Sequence, residues 1–109
     1  MFIIQPDNRI QLTKGDTATM LVEAYDLDNI KYEFKESDII TLRVKETQNS
    51  ESTSINKTAD KDHIITFSPS DTSSLTPGLY VYDVQVKTEE GNVYTIIPLN
   101  FFEILCEIS

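Results

Sequence analysis

Tryptophan is absent from this 109-residue chain, which also has only one cysteine, one histidine and three glycines. Each shortage removes a class of protein. Cys106 has no partner for an internal disulfide, and one cysteine with one histidine, His63, cannot furnish a Cys/His zinc centre. Three glycines exclude a collagen repeat, and a hydrophobic content of 39% excludes a disordered chain. Long apolar runs are missing too. Met1 to Ile4 is apolar, but Pro6 and Asp7 follow at once and no basic segment precedes it, so neither a membrane span nor an export signal is expected. Basic residues are scarce: nine against eighteen acids leave a net charge of −9, with both signs scattered. Phosphate neutralisation needs a basic patch, so no nucleic-acid partner is expected.

What remains is a chain long enough for one real core, read as a single domain over residues 1–109 with an N-terminal arm at 1–7. Its most ordered stretch runs from Leu75 to Ile108. Tyr80, Tyr82, Val84 and Val86 share one face while Val81, Asp83, Gln85 and Lys87 share the other, the two-residue period of a half-buried strand. Glu89, Glu90, Gly91 and Asn92 form a polar turn, and Val93 to Ile97 opens a second arm, so a long hairpin is predicted. Pro98 has no amide to donate and implies an edge, a bulge or a strand changing sheets; Phe102, Ile104, Cys106 and Ile108 then alternate again. On that pattern Cys106 reads as a small buried apolar residue.

Upstream, Ile10 and Leu12 mark a short strand, and Thr17 to Tyr25 a second with Met20, Val22 and Ala24 inward. Asp26 to Asn29 reads as a turn, and Tyr32 and Phe34 as anchors of an irregular charged loop. Ile40, Leu42 and Val44 line one face of a central strand, and Gln48 to Thr53 is a polar hairpin tip. Ser54 to Thr58 is expected to pair with His63 to Phe67, where Ile65 and Phe67 point inward. Ser68 before Pro69 is a helix-start pattern for one short turn ending near Leu75.

About seven short strands at a spacing near ten residues, with no long helical segment, describe an all-β fold: an antiparallel β-sandwich, with a closed barrel as the second option. Leu75, Pro77, Gly78 and Tyr80 match the tyrosine corner of Greek-key sandwiches, in which a tyrosine bonds back to the preceding connection. Tyr80 takes that role and Tyr82 competes for it.

Catalytic chemistry is hard to find. His63 lies beside Asp60 and Asp62 with no activated serine or cysteine to partner it, and reads as a solvated loop histidine. Asp26, Asp28 and Asn29 have the oxygen spacing of a calcium loop but lack its glycine and closing glutamate, so a side-chain-stabilised turn is the simpler reading. No enzyme activity, metal or cofactor is expected. Asn56-Lys57-Thr58 matches a glycosylation acceptor without a secretory context to use it. Tyr25, Tyr32, Phe34, Tyr82 and Tyr94 are candidates for a sugar-stacking platform, against the alternative that they are core or interface rings.

The segments TKGDTATMLVEAY (13–25), IITLRVK (39–45), SPSDTSSLTPGLYVYDVQV (68–86) and GNVYTIIPLNFFEI (91–104) together resemble small β-sandwich proteins of tailed phages and prophages of Gram-positive bacteria. The resemblance is closest to the immunoglobulin-like N-terminal domains of baseplate upper proteins. It implies an immunoglobulin-like sandwich and a virion structural or assembly protein of the tail or baseplate, assembled in the bacterial cytoplasm. The implied partners are other phage structural proteins or further copies of the chain, with Phe2, Ile3 and Ile4 as an interface arm. The alternative is a module binding carbohydrate or a cell surface.

Overall fold

A computed structural model describes residues 1–25 and 27–106; Asp26 of the acidic turn and Ile108 of the final alternation lie outside the described residues. The elements in chain order are β1 (Phe2–Ile4), β2 (Ile10–Thr13), β3 (Ala18–Leu21), β4 (Ile39–Lys45), β5 (Ile55–Thr58), β6 (Ile64–Phe67), α1 (Pro69–Thr72), β7 (Gly78–Lys87) and β8 (Val93–Leu105). The protein is thus mostly β, with one helical turn. Six strands form one sheet in the order β1-β2-β8-β7-β4-β5, and β3 and β6 form a second.

Buried faces of both sheets meet in one core. Ile10 and Leu12, Met20 and Val22, Ile40, Leu42 and Val44, Ile65 and Phe67, the even-numbered face of β7, and Phe102 with Ile104 belong to a single cluster. Phe67 of the small sheet lies 5.8 Å from Phe102 of the large one, ring centre to ring centre. The two-residue period placed these side chains correctly because each strand has one wet face.

Three expectations are revised. The sheet is mixed rather than antiparallel: β2 runs parallel to β8, with Ile10 opposite Phe102 and Leu12 opposite Ile104. Parallel neighbours require a long connection, and nearly the whole chain intervenes between these two strands. Strands β5 and β6 do not pair with each other; β5 bonds to β4 and β6 to β3, so the chain changes sheets between them. Asp60 makes that step compact, its carboxylate accepting the amides of Asp62 at 2.9 Å and Ile64 at 3.1 Å. Cys106 is exposed, because β8 ends at Leu105 and the alternation stops with it.

The residues 1–7 do not hang free. Phe2–Ile4 pairs antiparallel with β2, and the Phe2 ring packs 5.9 Å from Phe67. The turn that joins β1 to β2 passes through Asn8 at a positive φ of 71° and is pinned to the long hairpin, where Asn100 donates to the Asp7 carbonyl at 2.6 Å and Tyr82 to the Asn8 carbonyl.

Around Pro98 the pairing of β7 with β8 slips twice. Between the pairs Tyr82–Asn100 and Val84–Ile97, and again between Val84–Ile97 and Gln85–Thr95, β8 uses one residue more than β7. Two bulges restore the original parity, so Tyr94, opposite Val86, and Phe102, opposite Tyr80, point to the same side of the sheet. The small sheet covers Phe102 but not Tyr94, which stays 56% exposed.

Candidate functional site: a tyrosine-rimmed groove beside a strand edge

Where the small sheet runs out, an open groove of about 690 Å³ remains, within the size range of ligand clefts. One wall is the far end of the long hairpin, with Val86, Tyr94, Thr95, Ile96 and Ile97. The other wall is the connection from β3 to β4, with Glu23, Ala24, Tyr25, Tyr32 and Phe34, and Asn8 completes the lining.

The second wall folds on itself. Tyr25 and Lys31 form an isolated bridge, and the Tyr32 amide donates to the Ala24 carbonyl at 2.8 Å, so the aromatic residues on either side of the turn come together. Phe34 is half-buried against the core and meets Tyr32 edge-on at 5.3 Å. His63 also packs on Phe34, at 4.9 Å between ring centres, in a turn where its own φ is 65°. Contrary to the solvated histidine expected, it is a half-buried turn histidine, because its ring packs on Phe34 and props the groove wall.

Electrostatics here are negative. The Tyr25 hydroxyl donates to the Glu23 carboxylate at 2.9 Å and Lys31 lies 3.4 Å from the same group; together they hold Glu23 below the usual carboxylate range. Partial desolvation and the Asp38 carboxylate beside it push Tyr32 upward, with Glu90 adding to the effect. Asp38 also accepts the Lys35 amide at 2.9 Å, while its other oxygen is buried without a partner.

Beside the groove, β8 is paired on one side only. Strand β2 covers it from Phe102 to Leu105, so Val93–Leu99 has β7 on one flank and no strand neighbour among the described residues on the other. Backbone donors and acceptors on such an edge are open to a new strand.

Four of the five ring candidates from the sequence, Tyr25, Tyr32, Phe34 and Tyr94, thus line one groove, with Tyr25 and Tyr94 more than half exposed. Tyr82 does not join them, being 1% exposed in the core. Tyr80 also faces the core, and its hydroxyl donates to the Thr76 carbonyl at 2.7 Å. Ile3 and Ile4 are partly exposed on the outermost strand, whereas Phe2 turns inward. The described residues hold no grouping of His, Cys, Asp or Glu able to bind a metal.

One surface escaped the sequence reading: Leu79, Leu99 and Phe101 stand about half exposed on the outer face of the large sheet, where Phe101 pairs with Val81. The odd-numbered face of β7 looked polar beyond Val81, and the match to Phe101 depends on the bulged register. No protein family, curated protein or solved structure was found to match the chain.

Proposed function

We propose that this protein is a non-enzymatic contact module of immunoglobulin-like sandwich layout, serving as a structural or assembly component of a phage or prophage tail or baseplate. The observation that carries the contact reading is the groove: three tyrosines rim an apolar floor directly beside an unpaired strand edge. Tyrosine supplies large amphipathic contact area at low conformational cost, and strand edges recruit other chains. The apolar patch of Leu79, Leu99 and Phe101 adds a second contact surface of the kind that marks protein partners. The immunoglobulin-like layout is supported by the parallel β2–β8 pairing, the opposed β3–β6 pair and the Tyr80 bond to the loop before its strand. The phage assignment rests on the resemblance of the strand and turn segments. In this reading the exposed Ile3 and Ile4 act as the interface arm, with Phe2 anchoring them, and the working location is the virion.

Carbohydrate binding is the second reading, favoured by the exposure of the Tyr25 and Tyr94 rings in one cleft. It ranks lower because tryptophan is absent and the Tyr25 and Tyr32 hydroxyls already engage carboxylates. Mass spectrometry of particles induced from the strain carrying the gene tests the proposal. Presence at a fixed copy number per particle is expected, and absence from intact particles would overturn the virion assignment.

A further inference from the structure

We infer that the groove is a vacant strand position that accepts an extended, basic polypeptide segment from a partner chain, added to the free edge of β8. The inference rests on the contact-module reading and names its partner class. Four observations carry it.

The edge comes first. Val93–Leu99 spans about 20 Å at the usual strand rise, with no strand on this flank among the described residues. Although the two bulges and the donor-less Pro98 break the ladder beyond Thr95, Val93–Thr95 offers a regular stretch for a short partner strand. Position is the second. Strand β2 lies on this same side of β8 and starts only at Ile10, opposite Phe102, because the turn through Asn8 folds the preceding residues back into β1. A segment on the free edge would continue the line of β2 and complete the sheet where the chain itself leaves it short. Its alternate side chains would fall into the groove, against Ala24, Phe34, Val86, Tyr94 and Ile97.

Charge is the third observation. Glu23, which pairs with Lys31 at 3.4 Å, is the single ionisable carboxylate of the lining, no lysine or arginine belongs to the lining itself, and Asp38 and Glu90 add negative potential at Tyr32. With a chain of net charge −9, this rim favours a cationic segment and opposes polyanions. Hydrogen bonding is the fourth: a glycan stacked on the rings would leave the strand edge unpaired, whereas an extended peptide satisfies both the edge and the pockets.

The test is a displayed library of random seven-residue peptides selected on the intact protein, followed by amide-resolved NMR with the enriched peptides. Enrichment of lysine- or arginine-bearing, β-branched sequences is expected, with slowed amide exchange confined to Val93–Leu99 and shifts at Glu23 to Tyr25. Tyr94→Ala should weaken these peptides by about tenfold, the size of one ordinary interface anchor. Glu23→Gln should weaken basic peptides by a smaller factor and blunt their salt dependence, with the melting temperature of both variants unchanged. The inference is overturned by failure to enrich basic sequences, by winners that bind another face, by a neutral oligosaccharide such as maltotriose or chitotriose occupying the groove instead, or by dimerisation through the same edge.

Its failure is separable from that of the contact reading. A native chain that enters particles at fixed copy number but enriches no peptide at this edge sinks the strand-addition inference alone. Peptide binding by a protein absent from particles sinks the virion assignment alone.

Discussion

Thr72 and Tyr80 show how two hydroxyls of similar strength have unequal consequences. Thr72 is fully buried and its Oγ1 accepts the Gly15 amide at 2.8 Å, tying α1 to the turn between β2 and β3, where Gly15 has a φ of 83°. Thr72→Val keeps the shape but strands a donor, so a loss of about 1–3 kcal/mol is expected in urea unfolding, the cost of an unsatisfied buried group. Tyr80 bonds to the carbonyl of Thr76, an exposed residue, so water can replace the lost donor in Tyr80→Phe. Its expected cost is about 1 kcal/mol or less. If the two substitutions cost the same, the assignment of Thr72 as the tighter tie is wrong.

Asp71 carries the pH dependence at this scale. Burial alone would raise its pKa, but Lys57 at 2.8 Å and the Ser68 amide at 2.7 Å outweigh it and hold the carboxyl below its ordinary value of 3.8. A carboxylate whose folded pKa is depressed contributes stability that is complete above the unfolded pKa and is lost as pH falls through the folded one. Acid unfolding should therefore be less steep below pH ~4 in Asp71→Asn than in the native chain. An unchanged acid limb would remove Asp71 from the account.

At the scale of elements, β4 shows why alternation was so readable. Leu42 is fully buried between β5 and β7, while Ile39 on the same strand faces outward and is 51% exposed. Leu42→Ala should cost about 2–5 kcal/mol, the range for a buried leucine truncated to a cavity. Ile39→Ala should stay within about 0.5 kcal/mol, as surface changes do. Chemical denaturation of the pair reads the sidedness of the strand directly. The N-terminal strand divides in the same way: Phe2 packs on Phe67, so Phe2→Ala should lower the melting temperature, whereas Ile3→Ser should leave it in place and be felt only in assembly. Helix α1 was legible as well, because Ser68 and Pro69 are local signals that no distant contact needs to support.

For the molecule as a whole, the leading expectation is contact with other chains. Light scattering over a concentration series should show a defined oligomer if the outer patch of Leu79, Leu99 and Phe101 joins copies of this chain. In that case Phe101→Ser should return the protein to monomers with little change in stability. A strict monomer at every concentration would assign that patch to a different partner. Approaching the isoelectric point of 4.4 removes the self-repulsion of nine excess negative charges, so non-specific association should rise there as well. The specific oligomer should already be present at pH 7.

The sequence by itself determined the strand class, the inward face of nearly every strand, the hairpin turn at Gly91 and the start of α1. Those depend on period-two alternation and on turn chemistry, which act between residues a few positions apart. Only the tertiary structure decided that β2 lies parallel to β8, that β5 and β6 part into different sheets, and that Cys106 falls just outside β8. It alone brought Tyr25, Tyr32 and Tyr94 to one groove while sending Tyr82 to the core. Alternation says which side of a strand a ring occupies, but whether another sheet covers that side depends on how far the short β3–β6 pair reaches over the long hairpin. That overlap is a property of the packed sheets and has no local signature in the chain.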